Sequence, residues 1–178
     1  MSLTEKFISR EDIYDGAVLH VVKDRVRLSN GEESFREICL HSGAAAVIPI
    51  TEDGRVAMVR QYRYAHSRAF LEIPAGKLEM GEDPLDCAKR ELREETGAIA
   101  KSIKSLGIVD TSPALMSERI YLYLAEELSF GEMNPDDGEL LECELIPLNE
   151  LIKMVEKGEI CDSKTQIAIL KVARMRGL

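Results

Sequence analysis

Runs of apolar residues spaced at the period of strands dominate the first part of the chain, and turn residues punctuate them. Residues 6–41 are strand-like: 17–28 (AVLHVVKDRVRL) is rich in Val and Leu with partial alternation, Asn30-Gly31 is a hairpin signal, and 34–41 supplies the returning strand. So short a ribbon cannot bury both its faces, so it must pack on the rest of the chain or on a second copy. Residues 43–50 (GAAAVIPI) and 56–62 (VAMVRQY) flank Asp53-Gly54 and predict a second hairpin, whose first strand is apolar enough to lie centrally in a sheet. Further strands are expected at 103–109, 120–125 and 140–146, with loops at DTSPALMSER and MNPDDG between them.

At 84–96 the period changes to that of a helix. Asp83 is a suitable N-cap, Pro84 fits the first helical position, Asp86 places negative charge in the first turn, and Gly97 suits the position after the last turn. Leu85, Ala88 and Leu92 then form an apolar stripe, while Glu91, Glu94 and Glu95 share a face at i, i+3 and i+4. Asn149 is expected to cap a short helix running to 155. Asp162 is expected to cap a terminal helix with Ile167, Ile169, Leu170 and Val172 on apolar positions. Helices dispersed among more numerous strands, without repeats or linkers, predict an α/β protein with a mixed sheet covered by helices on both faces.

Composition narrows the functional classes. A chain of 178 residues with 45% hydrophobic content can build one domain with a real core plus a small appendage. A net charge of −9 argues against a general nucleic-acid or anionic-membrane binder, so an enzyme of phosphates would need metal or local arginines to receive them. Cys39, Cys87, Cys143 and Cys161 show no metal-ligand spacing and read as buried thiols in a reducing cytoplasm. No apolar run has the length of a membrane span, and the first ten residues lack the apolar core of a signal peptide.

The helical carboxylates are the first candidate site. Like charges one turn apart cost an isolated helix roughly 0.2–0.5 kcal/mol per pair, a penalty a bound cation would reverse. Magnesium suits hard oxygen ligands and bridges carboxylates to substrate phosphates. The alternative is an ordinary solvated acidic face with Arg90 and Arg93 pairing locally. Upstream, Arg60, Arg63 and Arg68 lie close to Tyr62 and Tyr64, residue types that fork onto phosphate and stack on bases, or equally that pack along a sheet edge by their stems. Glu72 sits in the otherwise apolar FLEIPAG, where a charged group needs a partner or a task.

The stretch GKLEMGEDPLDCAKRELREETGA at 76–98 resembles the signature of the Nudix hydrolases, which cleave nucleoside diphosphates linked to another group. Every fixed position is matched, and the one soft departure is Ala98, where a larger aliphatic residue is usual. RQYRYA, FLEIPAGKLE, Pro113 and the C-terminal GEICDSKTQIAIL are similar to the ADP-ribose pyrophosphatase branch, although Ala114 stands where that branch usually has Gly. The resemblance implies a Nudix fold, an α/β/α sandwich with a mixed sheet over residues 42–178, and an N-terminal β-ribbon over 1–41 used in homodimerisation. It implies that Glu91, Glu94 and Glu95, with the carbonyl of Ala75, hold Mg2+ (or Mn2+), that Glu82 assists there, and that Arg90 orients the glutamates. The general base then comes from the segment PDDGELLE, with Glu139 first and Asp137 second. Arg36 and Arg60 are the candidates for phosphate or ribose contact, Tyr62 for stacking, and Glu72 for a hydrogen bond to the nucleotide or to a metal-bound water.

The expected activity is magnesium-dependent hydrolysis of ADP-ribose to AMP and ribose 5-phosphate. The nearest alternatives are hydrolysis of ADP-glucose, GDP-mannose, a flavin dinucleotide or a diadenosine polyphosphate. A non-catalytic nucleotide-binding regulator is a further alternative, although such a module should have lost carboxylates that this chain keeps.

Overall fold

Hydrophobic runs and turn signals resolve into ten strands and three helices in a computed structural model that describes residues 3–136 and 138–178. Asp137, the second candidate for the base, lies outside the described residues. The chain divides into two units, Met1–Gly43 with Asp110–Arg119, and Ala44–Val109 with Ile120–Leu178.

The first unit is an antiparallel sheet of β1 (Lys6–Asp15), β2 (His20–Arg27) and β3 (Glu33–Leu40), in that order. Gly31, at φ +92°, makes the tight turn between β2 and β3, and Asn30 Oδ1 accepts the Glu32 N–H at 3.0 Å. Asp24 on the central strand is buried and takes two hydrogen bonds from Arg10 of β1, at 2.7 and 2.8 Å. The loop carrying Pro113 belongs to this unit: the Cys39 N–H donates to Leu115 O at 2.8 Å, and the His41 N–H donates to Ser117 Oγ at 2.8 Å.

In the second unit, β4 (Ala44–Pro49) is buried along its whole length, as its apolar composition predicts. It pairs in parallel with β9 (Arg119–Phe130) and antiparallel with β7 (Ala75–Lys77), and β8 (Ala98–Asp110) completes a mixed sheet in the order β7-β4-β9-β8. A second sheet has the order β10-β5-β6, from β5 (Arg55–Arg63), β6 (Arg68–Glu72) and β10 (Leu141–Pro147). Successive residues of β4 face opposite ways. Ala44, Ala46 and Ile48 pack in a core with Ala168, Ile169 and Val172 of α3 (Ser163–Met175). Ala45 and Val47 pack in another with Cys87, Ala88 and Leu92 of α1 (Pro84–Thr96). The central strand is thus covered by a helix on each face, the α/β/α arrangement expected of the sequence.

Four local expectations change. Of the four cysteines expected to be buried only Cys87 is, while Cys39 and Cys143 are half-buried and Cys161 is exposed, beside the turn at Gly158 whose carbonyl its thiol meets. The helix expected to be capped by Asn149 begins earlier, as α2 (Leu148–Glu156) with Pro147 before it and no side-chain cap, so Asn149 lies inside the first turn. β6 and β7 are too short and too dependent on distant partners to show in the pattern. On α1 the buried face is wider than Leu85, Ala88 and Leu92: Leu85 is only half-buried, while Cys87, Glu91, Glu95 and Thr96 are buried. No helix among the described residues is long and apolar enough to cross a membrane.

Candidate active site

Helix α1 is fixed at both ends by the residues that predict it. Asp83 Oδ1 accepts the Leu85 N–H at 2.8 Å, and Gly97, at φ +69°, returns its N–H to Arg93 O at 2.9 Å. The same C-terminal end holds the following loop, since the Gly131 N–H donates to Gly97 O and the Asn134 N–H to Glu94 O, at 2.8 and 2.9 Å. That loop leads into the segment bearing Glu139.

Against α1 runs the strand segment 72–77. Its Ala75 N–H donates to Glu95 Oε2 at 3.0 Å, and Gly76 lies so near Glu91 that a Cβ built there would stand 1.8 Å from Oε1. Only glycine leaves room for the Glu91 carboxylate at this point. Arg90 gathers the remaining acids. Its Nε and Nη2 donate to Glu82 at 2.9 and 3.1 Å, its Nη1 donates to Glu91 Oε1 at 2.6 Å and to Glu94 Oε2 at 3.1 Å, and Nη2 also reaches Lys77 O at 3.2 Å. Arg90 thus bonds to Glu82, Glu91 and Glu94, the contacts that an orienting role would require.

The electrostatics divide the carboxylates into two kinds. Hydrogen bonds from Arg90 above all, outweighing desolvation, hold Glu82 down at about 2, so it is a permanent anion that anchors the guanidinium. Burial pushes Glu91 up, against the opposing pull of Arg90. Burial also pushes Glu95 up to about 8; the Ala75 N–H opposes the shift, while the charges of Glu91 and Glu139 add to it. Glu91 and Glu95 both feel the charge of Glu139, so the leading candidate for the base lies within electrostatic reach of both.

The donor set suits a hard divalent cation. Glu91, Glu94 and Glu95 each commit one oxygen to a protein donor, and among the described residues the other oxygen of each accepts no hydrogen bond. Among the described residues no three such ligands already converge on one point. The cluster instead combines two buried carboxylates disfavoured as anions with a glycine at 76 that lets the Glu91 carboxylate lie close against the strand, and positive charge placed beside these carboxylates would relieve the repulsion.

Glu72 has found the partner its apolar surroundings demand. Only 4% exposed, it accepts from Arg63 Nε and Nη2 at 2.7 and 2.8 Å and from the buried Lys164 at 2.5 Å. Both its oxygens are therefore engaged within the protein. The sequence does not name Arg63 and Lys164 as these partners; it shows only a charge in the apolar FLEIPAG that requires a cation from elsewhere. Desolvation drives the Glu72 carboxyl upward, but Arg63 and Lys164 outweigh it and hold it down at about 2. A carboxyl depressed in the fold stabilises it above the unfolded value of 4.5, and that contribution disappears as pH falls toward 2. Stability should accordingly fall between these limits by an amount on the order of 3 kcal/mol from this group. In urea titrations at several pH values, Glu72→Gln should start less stable at neutral pH and show a shallower loss below pH 4.5. Parallel curves for variant and parent would contradict this.

The remaining candidates lie on strands rather than on α1. Arg60 of β5 pairs with Glu144 of β10 at 2.6 Å and borders a cleft of about 360 Å³ lined with Ala69, Leu140, Leu141 and Glu142. Tyr62, further along β5, is 57% exposed. Arg36 lies on β3 of the first unit, where it pairs with Glu5 and donates to Phe35 O at 2.7 Å.

Comparison with known proteins places this geometry in context. The family model described as NUDIX domain matches residues 40–165. An ADP-ribose pyrophosphatase of Bacillus subtilis is 44% identical over 170 residues, which is 94% of this chain and 92% of that protein. A methanol dehydrogenase activator of Bacillus methanolicus is 43% identical over 93% of this chain and 90% of its own length. A crystal structure of an ADP compounds hydrolase shares the fold with a TM-score of 0.86 at 21% identity, over 99% of this chain and 97% of that one.

Proposed function

The chain belongs to the Nudix family, and from that premise we propose that it is a magnesium-dependent pyrophosphatase that hydrolyses ADP-ribose to AMP and ribose 5-phosphate. The observation that carries this reading is an intact carboxylate set, Glu82, Glu91, Glu94 and Glu95, in a chain 44% identical to an ADP-ribose pyrophosphatase over almost its full length.

Glu91, Glu94, Glu95 and the carbonyl of Ala75 would hold magnesium, or manganese in its place, which when bound would supply positive charge for the phosphate oxygens and a lowered pKa for the attacking water. Arg90 keeps Glu91 and Glu94 aligned, and Glu82 keeps Arg90 in place. Glu139 takes the proton of the water that attacks one phosphorus, with Asp137 as the second choice. Arg60 and Arg36 contact phosphate or ribose, and Tyr62 stacks on the base. Glu72 contributes through the two cations it holds. The enzyme works in the cytoplasm as a homodimer joined through the ribbon at 1–41. β1 is exposed along all ten residues, and Phe7, Ile13, Tyr14 and Phe35 of this unit are each more than half exposed, a surface that a second copy would cover.

The test is an assay of the full chain, checked by sedimentation for the dimer, with ADP-ribose, ADP-glucose, GDP-mannose, a flavin dinucleotide and a diadenosine compound. ADP-ribose should give the highest kcat/KM, with AMP and ribose 5-phosphate as products and arrest by chelator. Glu139→Gln should lower kcat by about 10²–10⁴-fold. A better substrate elsewhere in the panel overturns the substrate assignment, and full activity of Glu139→Gln moves the base to another residue.

A second reading is favoured by the 43% identity to the methanol dehydrogenase activator, namely that the chain acts on a dehydrogenase. Acceleration of a purified methanol dehydrogenase by the wild-type chain, without turnover of any compound in the panel, would support it.

A further inference from the structure

The first turn of α3 is built into the back of the carboxylate site. Asp162 caps the helix by accepting the Thr165 N–H at 2.9 Å, so the next residues stand at fixed angles. Lys164 is 8% exposed and its Nζ donates to Glu72 at 2.5 Å, with Asp162 at 3.1 Å on its other side. Thr165 is fully buried, and its hydroxyl oxygen accepts the Ile73 N–H at 2.9 Å. Two successive residues of the segment 72–75 are therefore gripped by two successive residues of the helix, across 92 positions of sequence. The next two residues face the other way in their bonding. Pro74 O accepts the Val47 N–H of the central strand at 2.9 Å, and the Ala75 N–H donates to Glu95 Oε2 at 3.0 Å.

A helix and strand need only one such bond to stay together, and the apolar core made by Ile73, Ala168 and Ile169 already joins them. The paired grip does something the core cannot: it fixes the rotation and height of a four-residue segment whose last amide aims at a carboxylate. Buried polar side chains bonded directly to such a segment hold it to one geometry, because slippage by one residue would strand a buried ammonium and a buried amide.

We infer that Lys164 and Thr165 are positioning residues for the cation site, acting through the segment 72–75 to place the Ala75 amide, and with it the Glu95 carboxylate, at the distance a divalent ion requires. This rests on the reading of Glu95 as a metal ligand. Neither residue touches substrate or the reacting atoms. Partners one step removed from a metal typically change its affinity by 10–100-fold.

The measurement is manganese(II) binding to the full chain, by titration calorimetry and by loss of the free-ion paramagnetic signal, alongside Tm and ADP-ribose hydrolysis. Thr165→Val keeps the shape and removes the acceptor; it should weaken manganese binding by about tenfold or more, and Thr165→Ser should restore it. Lys164→Met should act in the same direction. Amide exchange at Ala75 should quicken in both weakened variants while exchange in β9 stays as in the parent. Thr165→Val that is folded and binds manganese as tightly as the parent overturns the inference, as does equal weakening by Thr165→Ser. Should Thr165→Val fail to fold, Lys164→Met decides by the same comparison, and should neither fold, Thr165→Ser decides by retaining or losing the parent's affinity. A parent chain that binds no manganese refutes the metal site itself, and one that binds it without hydrolysing ADP-ribose refutes only the substrate.

Discussion

Glu95→Gln is expected to lower kcat/KM for ADP-ribose by about a thousandfold, roughly 4 kcal/mol of transition-state stabilisation, while making the metal-free protein more stable. The two effects have one cause. Glu95 is 4% exposed, and burial, Glu91 and Glu139 together push its carboxyl up to about 8. A group raised in the fold favours folding fully below its unfolded value of 4.5, and that contribution is lost as pH rises toward 8. Glutamine does not titrate and can still accept the Ala75 N–H through its own carbonyl oxygen, so it keeps the bond and removes the penalty. In chelator at pH 8, calorimetry should show Tm of the variant a few degrees above the parent. Saturating magnesium should reverse the order, because only the parent gains the binding free energy of the ion. Parent-like turnover by the variant would sink the ligand assignment, and a lower Tm in chelator would sink the account of its burial.

That trade between function and stability also explains which parts of the molecule sequence could announce. Helix α1 is set by neighbours along the chain, Asp83 at one end and Gly97 at the other, so its limits are local information. β4 is legible for a similar reason, since six consecutive buried residues leave no polar face to confuse the period. Whether Glu91 and Glu95 face water is not local information. A helix with three glutamates on one side reads as a cation site or as a solvated face, and its burial shows only once the segment 72–77 is seen lying against it and Gly76 is seen making room. Glu72 and Lys164 are 92 residues apart, so the sequence shows a charge in need of a partner without showing which one. β6 and β7 exist because β5 and β4 offer them free edges, a property of the assembled sheets. The resemblance points to the acidic segment that holds Glu139, but its electrostatic effect on Glu91 and Glu95 depends on the loop that Gly97 and Glu94 tie to the end of α1.

Gly76→Ala should separate activity from stability, and Gly54→Ala should separate them the opposite way. At Gly76 a new Cβ would lie 1.8 Å from Glu91 Oε1, 2.1 Å from Cδ and 2.6 Å from Oε2. Those atoms are the far end of a flexible side chain, and the backbone at 76 is not in the left-handed region, so the fold can yield by turning the carboxylate away. The cost is the bond from Arg90 Nη1 at 2.6 Å, offset in part by the lower entropy of the unfolded alanine chain. The net change in stability should stay within about 1 kcal/mol. Turnover should nevertheless fall by at least a hundredfold, about 3 kcal/mol, since the carboxylate displaced is one proposed to hold the cation. Gly54 has open space around it but a φ of +82° in the turn between β4 and β5, so alanine there is strained whatever the room. It should lose about 1–2 kcal/mol of stability and keep its kcat. Urea melts and initial rates on the same two preparations would read the crossed pattern. Full activity of a folded Gly76→Ala protein would mean that the Glu91 carboxylate is not where the cation binds.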